Sequence, residues 1–255
     1  MAAMQHQFLL TPQNRRIAYH QTHGQGPGVV FLGGFRSDMT GSKALHLQDW
    51  AVRTGRAFVR MDYSGHGVSS GLFQDGCIGD WFEDASAVLE ARTDGPQILV
   101  GSSMGGWISL LLARKYPGRI AGFVGVAAAP DFTEDSMWDS FSPSQREALM
   151  RAGELALPSD YAPEPYRITR HLIEDGRRHL VLRSPLNLPF PVRLLQGTAD
   201  TDVPVSVALR LLDHAQGPNI RLHLVKGADH RFSTPECLGM ITETLEELCE
   251  GALNA

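Results

Sequence analysis

Gln97-Ile98-Leu99-Val100-Gly101-Ser102-Ser103-Met104-Gly105-Gly106-Trp107 is the stretch from which the fold can be read. A short apolar run with the look of a buried strand enters Gly-x-Ser-x-Gly, and a helical pattern follows over 104–115. A nucleophile on a sharp strand-to-helix turn needs glycines two places before and after it, because neighbouring backbone must come close there. The turn lifts the serine oxygen clear of a sheet. It also puts the next amide at a helix N-terminus, where it can stabilise a developing oxyanion. Ser103 has Gly101 and Gly105 at those offsets and is the candidate nucleophile; Ser102 lacks them. Met104 supplies the candidate amide.

Working outward, the same alternation recurs along the chain. Apolar runs at 29–32, 57–61, 98–100, 123–127, 192–195 and 220–225 read as strands, and the first four are nearly all apolar, as strands buried on both faces are. The more polar 16–22 suits an antiparallel edge strand. Helical patterns fall between them at 43–53, 80–92, 104–115, 203–214 and 235–249. Asp80 and Glu83 have capping-box spacing, Pro117-Gly118 would end the third helix, and Leu238, Ile241, Leu245 and Leu248 share one face of the last. Strands alternating with helices predict an α/β fold with a mostly parallel central sheet and helices on both faces.

One region breaks the rhythm. Between 133 and 189 no good strand is visible, helical patterns occupy 143–155 and 166–182, and prolines stand at 143, 158, 163, 165, 185 and 189. The stretch is too long for an ordinary loop. The expectation is a helical cap over 133–189, with the core formed by 1–132 and 190–255. The alternative is a small second domain remote from the chemistry.

Three further strand ends carry reactive groups. Leu32-Gly33-Gly34-Phe35 lies where such folds place the second oxyanion donor, and the Phe35 amide is the candidate, against an ordinary turn. The turn within 194–204 bears Asp200 and Asp202. Either can orient a catalytic imidazole, while Asp202 also suits a cap for the helix from 203. Gly227-Ala228-Asp229-His230 comes after the last strand and makes His230 the candidate base, completing the order Ser, Asp, His; His66 is the rival. Gly41-Ser42-Lys43 has Ser and Lys in the wrong order for a phosphate loop. The Gly65–Gly71 run is one residue too long for a dinucleotide fingerprint. No metal-binding pattern is present, so neither metal nor cofactor is expected.

Composition agrees with a globular enzyme: 255 residues, 43% hydrophobic, 20% charged and a net charge of −5. That balance argues against a nucleic-acid partner or an anionic membrane surface. Cys77, Cys237 and Cys249 form no metal-type pair and read as reduced thiols. No run approaches the roughly 18 apolar residues of a membrane span, and residues 1–10 do not read as a secretory signal. A soluble, cytoplasmic protein is expected, with its oligomeric state open.

Taken together, these motifs resemble the α/β-hydrolase superfamily. Asp62-Tyr63-Ser64-Gly65, Gly101-Ser102-Ser103-Met104-Gly105-Gly106-Trp107 and Ser184-Pro185 are similar to its palmitoyl-protein thioesterase and acyl-glucuronide esterase branch, over about 29–248. The resemblance implies Ser103 as nucleophile, His230 as base and Asp200, not Asp202, as the acid. Gly33-Gly34 replaces the His-Gly of many members. The implied activity is that of a serine carboxylesterase or thioesterase acting on a small acyl ester, thioester or acyl glucuronide. The alternatives are a peptidase, amidase or C–C hydrolase on the same residues, or a catalytically silent member that binds a small ligand.

Overall fold

A computed structural model describes residues 6–157 and 166–253. Eight strands form one sheet: β1 (Gln7–Leu10), β2 (Arg16–Thr22), β3 (Gln25–Leu32), β4 (Arg56–Met61), β5 (Gln97–Ser102), β6 (Ile120–Val126), β10 (Val192–Gly197) and β12 (Ile220–Val225). Their spatial order is β1-β2-β4-β3-β5-β6-β10-β12. β2 runs antiparallel to both its neighbours, β1 and β4, and the remaining pairs are parallel. The expected strand at 16–22 is therefore present and antiparallel, but β1 covers it, so it is not the edge. The run Phe8-Leu9-Leu10 is too short to read as a strand by itself.

Side chains along a strand alternate between faces, and the core divides accordingly. Val29 and Phe31 meet Ala44, Leu47 and Trp50 of α1 (Ser42–Thr54) and Ile241, Leu245 and Leu248 of α7 (Pro235–Leu253). Val30 and Leu32 meet Trp81 and Val88 of α2 (Ile78–Arg92) and Trp107 and Ile108 of α3 (Met104–Lys115). Helices thus cover both faces, as the alternation required. β3 leads to β4 on one side and β5 lies on the other, so the chain parts between β3 and β5. Ligands of open α/β sheets bind outside the carboxyl ends of strands at such a point.

Two helix starts differ from expectation. α2 begins at Ile78 with Cys77 as N-cap and no side-chain cap bond. Asp80 and Glu83 instead bind the Arg15 guanidinium at 3.0 and 2.8 Å, a stronger call on a carboxylate than a helix amide. The helix expected from 203 begins at Val205 with Pro204 as N-cap, so Asp202 is not its cap.

The 133–189 segment is not all helical. It contains a π-helical turn (Thr133–Trp138), α4 (Pro143–Ala152), the antiparallel pair β7 (Glu154–Leu157) and β8 (Tyr166–Thr169), α5 (Arg170–Arg178) and β9 (Leu186–Asn187). β9 pairs with β11 (Ala215–Gln216), which comes after α6 (Val205–His214). Gly153, at φ 84°, ends α4 three residues early, and the aromatic and β-branched Tyr166, Ile168 and Thr169 favour an extended chain over the first turn of the expected helix. Pro158, Tyr161, Pro163 and Pro165 lie outside the described residues. Phe141, Leu149, Ile168, Leu172 and Ile173 share one buried cluster with the β3 and α3 side chains, so the segment shares the core of the α/β domain, with α5 lying beside α2.

Gly105 sets how closely α3 can approach β3: a Cβ there would run into the carbonyls of Leu32 and Gly33. Gly105→Ala is predicted to cost about 3 kcal/mol or more, lowering Tm by about 10 °C in a chain of this size. An unchanged thermal midpoint would mean that the two elements do not close at this glycine.

Candidate active site

Ser103 joins β5 to α3 at φ 53° and ψ −118°, a backbone state that side-chain-bearing residues rarely adopt. Neighbouring chain holds it there. The Ser103 N–H donates to the Val126 carbonyl at 2.9 Å, and its own carbonyl accepts from Gly106 at 2.8 Å and Ala129 at 3.1 Å. Glycine is required around it for a steric reason. A Cβ on Gly101 would strike the Gly105 backbone, and one on Gly106 would strike Ala128. Met104 is the first residue of α3, so its N–H has no acceptor within the helix.

Asp200 and His230 come from the loops after β10 and β12. Asp200 has a buried carboxylate that accepts His230 Nδ1–H at 2.9 Å and Gln196 Nε2–H at 3.0 Å on Oδ2. On Oδ1 it accepts the Asp202 and Val203 amides at 2.9 and 2.8 Å. Burial pushes this carboxyl up, but the bonds from His230, Val203 and Gln196 outweigh it and hold it below the ordinary range. An ionised carboxylate only accepts, so His230 carries its proton on Nδ1 and leaves Nε2 free to take another. Asp202 is exposed at the same turn, and what it gives Asp200 is its backbone N–H.

A cavity of about 590 Å³ lies over the elbow, with Ser102, Ser103, Phe35 and His230 in its wall. Met137, Leu157, Tyr166 and Ile168 of the 133–189 segment close another side, joined by Phe132, Val203 and Val207. Of the other apolar residues in 133–189, Phe141 and Leu149 are buried in the core, Trp138 and Leu155 pack against it, and Met150 is exposed. Tyr161 lies outside the described residues. Phe35 packs edge-on against Phe73, Trp81 and Phe132, with centroids 4.8, 5.9 and 5.6 Å away.

The rival groups fall elsewhere. His66 is buried and stands outside the cavity wall. Cys77, Cys237 and Cys249 are buried free thiols that also lie outside it. Asp200, Asp202 and His230, and separately Cys77, Asp80 and His171, bring donor atoms within 4.8 Å of one another. Hydrogen bonds already engage both sets: those at Asp200 given above, and Cys77 Sγ–H to Asp80 at 3.3 Å. Reading the sequence alone misses Gln196, whose one signal is its place on β10 just before Gly197. It also misses Lys43, a cavity-lining residue that donates to the Arg231 carbonyl. Burial pushes the Lys43 ammonium down to about 8.

A glycine-flanked strand-to-helix elbow, a carboxylate-bound imidazole and a shared cavity at the sheet's switch point are the frame of an α/β hydrolase. The family model for serine aminopeptidase, S33, matches residues 28–170, more than half of the chain, and the chain belongs to that family. Among its relatives, rat palmitoyl-protein thioesterase ABHD10, mitochondrial, is 35% identical over 244 residues, covering 95% of this chain and 82% of the rat protein. The human protein of that name is 32% identical over 244 residues, covering 95% and 79%. A crystal structure from Agrobacterium vitis S4 superposes with TM-score 0.92 at 39% identity, covering 96% of this chain and 98% of that one. Mouse alpha/beta hydrolase domain-containing protein 10 gives 0.90 at 32%, covering 97% and 99%. The chain is a hydrolase of this superfamily. Among the described residues no helix is long and apolar enough to cross a membrane.

The unequal contacts of the two acids predict unequal variants. Asp200→Asn is expected to cut kcat by about 10⁴ on any substrate the enzyme turns over, because the imidazole loses its orienting acceptor. Asp202→Ala should change kcat less than about tenfold, since its N–H to Asp200 is backbone and survives. The reverse ranking in steady-state kinetics would transfer the role to Asp202.

Proposed function

We propose that the protein is a serine hydrolase that cleaves carboxylic esters or thioesters of small acyl substrates, acyl glucuronides among them, through an acyl-enzyme. The observation that carries this reading is the His230–Asp200 hydrogen bond in a loop that shares one cavity with Ser103. In the first half-reaction Ser103 Oγ attacks the carbonyl carbon while His230 Nε2 takes its proton. The carbonyl oxygen becomes an anion facing the Met104 and Phe35 amides. The tetrahedral adduct collapses, the C–O or C–S bond breaks, and His230 returns the proton to the leaving oxygen or sulfur. Water then repeats the sequence and releases the acid, leaving the enzyme unchanged. No step requires a metal or cofactor.

Residues 133–189 act in this reading as a cap on the core formed by 1–132 and 190–255, placing an apolar wall against the acyl group. The relatives named as thioesterases favour a thioester among the substrates. The family's description as a serine aminopeptidase favours a peptide amide as the second reading, which the same residues could cleave. A C–C hydrolase or a silent ligand-binding member has no such support. The buried thiols fit a reducing compartment, and the cytoplasm remains our assignment for this chain.

A panel of matched acyl esters, thioesters, acyl glucuronides and aminoacyl amides tests the substrate class; turnover of the amides alone would overturn the ester reading. On the preferred substrate, Ser103→Ala should lose about 10⁶-fold in kcat while Ser102→Ala stays mild. A dead Ser102→Ala variant would move the nucleophile.

The apolar wall makes a separate prediction. Each methylene buried against it should contribute about 0.8 kcal/mol, nearly fourfold in kcat/KM. Specificity is therefore expected to climb from acetyl to a medium chain and level off where the cavity is filled. A flat profile, or a fall beyond acetyl, would show that 133–189 closes the site to chains.

A further inference from the structure

His66 sits outside the cavity yet beside the loop that carries the Phe35 amide. It is 4% exposed, and three aromatic rings stand edge-on around it: Tyr63 at 5.5 Å, Phe73 at 5.1 Å and Trp81 at 5.2 Å. Its Nδ1 lies 3.1 Å from the Ser64 carbonyl, which only accepts, so Nδ1 bears the proton. Nε2 is then a lone-pair acceptor, and the Arg36 N–H donates to it at 3.2 Å. Burial and the nearby Arg36 charge push the imidazole down to about 4, so the ring stays neutral and the acceptor persists at neutral pH.

That one bond acts on a tight turn. The Ser37 N–H donates to the Gly34 carbonyl at 3.1 Å, closing a turn over 34–37 with Phe35 and Arg36 at its centre. Arg36 has φ 59° while Phe35 is not among the residues of positive φ, which makes the turn type II. Type I and type II turns differ by a flip of the central peptide, whose N–H here belongs to Arg36. Type II needs positive φ at its third position, which suits glycine and strains arginine. In the type I form the Phe35 carbonyl would turn toward the lone pair of Nε2. The preceding peptide, with the Phe35 N–H, runs beside the nucleophile: a Cβ on Gly34 would lie 3.3 Å from Ser103 Cβ.

We propose that His66 is a positioning residue: by accepting the Arg36 N–H it tethers the 34–37 turn to the loop after β4 and so holds the Phe35 amide, one peptide earlier, beside Ser103. The proposal rests on the serine-hydrolase reading above. It gives a buried, neutral imidazole outside the cavity a part in the reaction without any contact with substrate.

The test compares wild type with His66→Leu, which offers no acceptor, and His66→Gln, whose Oε1 reaches about as far as Nε2. Expected for His66→Leu is a fall in kcat of about ten- to a hundredfold, less than the loss of a whole oxyanion donor, with KM within about twofold. Inhibition by a trifluoromethyl ketone of the best acyl chain, which forms an oxyanion on Ser103, should weaken by the same factor. His66→Gln should recover most of both. Should the leucine variant fail to fold, His66→Asn takes its place, being too short to reach Arg36. A loss of Tm with kcat and ketone affinity intact, a rise in KM at constant kcat, or a failure of glutamine to rescue, would each overturn the proposal. Fluorophosphonate labelling separates it from its premise. If wild type is not labelled at Ser103, the serine-hydrolase reading falls. If wild type is labelled and His66→Leu is labelled equally fast, only the role of His66 falls.

Discussion

The whole arrangement depends on how closely α3 can lie against β3. The carbonyls of Leu32 and Gly33 occupy the space that a side chain on residue 105 would need, and Gly101 and Gly106 meet similar obstacles. Because the helix is drawn in this far, its first amide and the end of β3 lie on either side of Ser103. The φ of 53° at Ser103 is the local cost of that approach. It persists because Val126, Gly106 and Ala129 fasten the residue from three directions. A strain held by many bonds is a fixed geometry, and a fixed geometry is what the proposed oxyanion site needs.

Around this elbow the loops are fastened by buried carboxylates, each satisfied by N–H groups. Asp62 accepts the amides of Met39 and Val68 at 2.6 and 3.0 Å, tying the loops after β3 and β4 together. Asp84 accepts the Ser64 amide at 2.9 Å and Arg15 at 2.7 Å. Asp131 accepts Val181 and Leu182 at 2.8 and 3.0 Å, pinning the far part of the 133–189 segment to its start. Burial pushes all three carboxyls up. Asp200 is buried too but held below its ordinary range, and its difference from them is the imidazole of His230. The same device, an amide-accepting carboxylate, therefore serves as a fastener in three loops and as an orienting group in one.

Much of this is legible in the sequence because it is local. The elbow needs particular residues at particular offsets, so Gly101, Ser103 and Gly105 announce themselves; the apolar runs of the inner strands do likewise. The β1 strand is hidden because four residues with one partner carry no period of their own. The β7–β8 pair is hidden because helix-forming residues precede it and the eight residues between its strands are rich in proline. Asp80 and Glu83 mislead because a capping box and an arginine partner ask for the same residues, and the deciding Arg15 is more than sixty positions away. His66 reads as a rival base, since a histidine beyond a strand end has one local appearance and two possible uses. Only the tertiary contact with Arg36 and its place outside the cavity wall separate them.

The two sides of the cavity differ in how they are built, and the difference bears on what evolution of the sequence can change. Ser103, Phe35 and His230 stand in the turns just beyond paired strands of the central sheet, whose register fixes where those turns begin. Met137, Leu157, Tyr166 and Ile168 stand on a π-helical turn and a two-stranded pair, whose ladder is only four residues long. Substituting the second group reshapes the wall without touching the first, provided that Leu149, Leu172 and Ile173 still anchor the segment in the core. Arg36 is the exception, since its guanidinium lies over Phe73 on the core side and over Tyr166 on the other, 5.2 and 4.7 Å from the ring centroids. Its backbone belongs to the turn beside Ser103 and its side chain meets Tyr166 in the cavity wall, so a substitution at Tyr166 bears on the turn as well as on the wall.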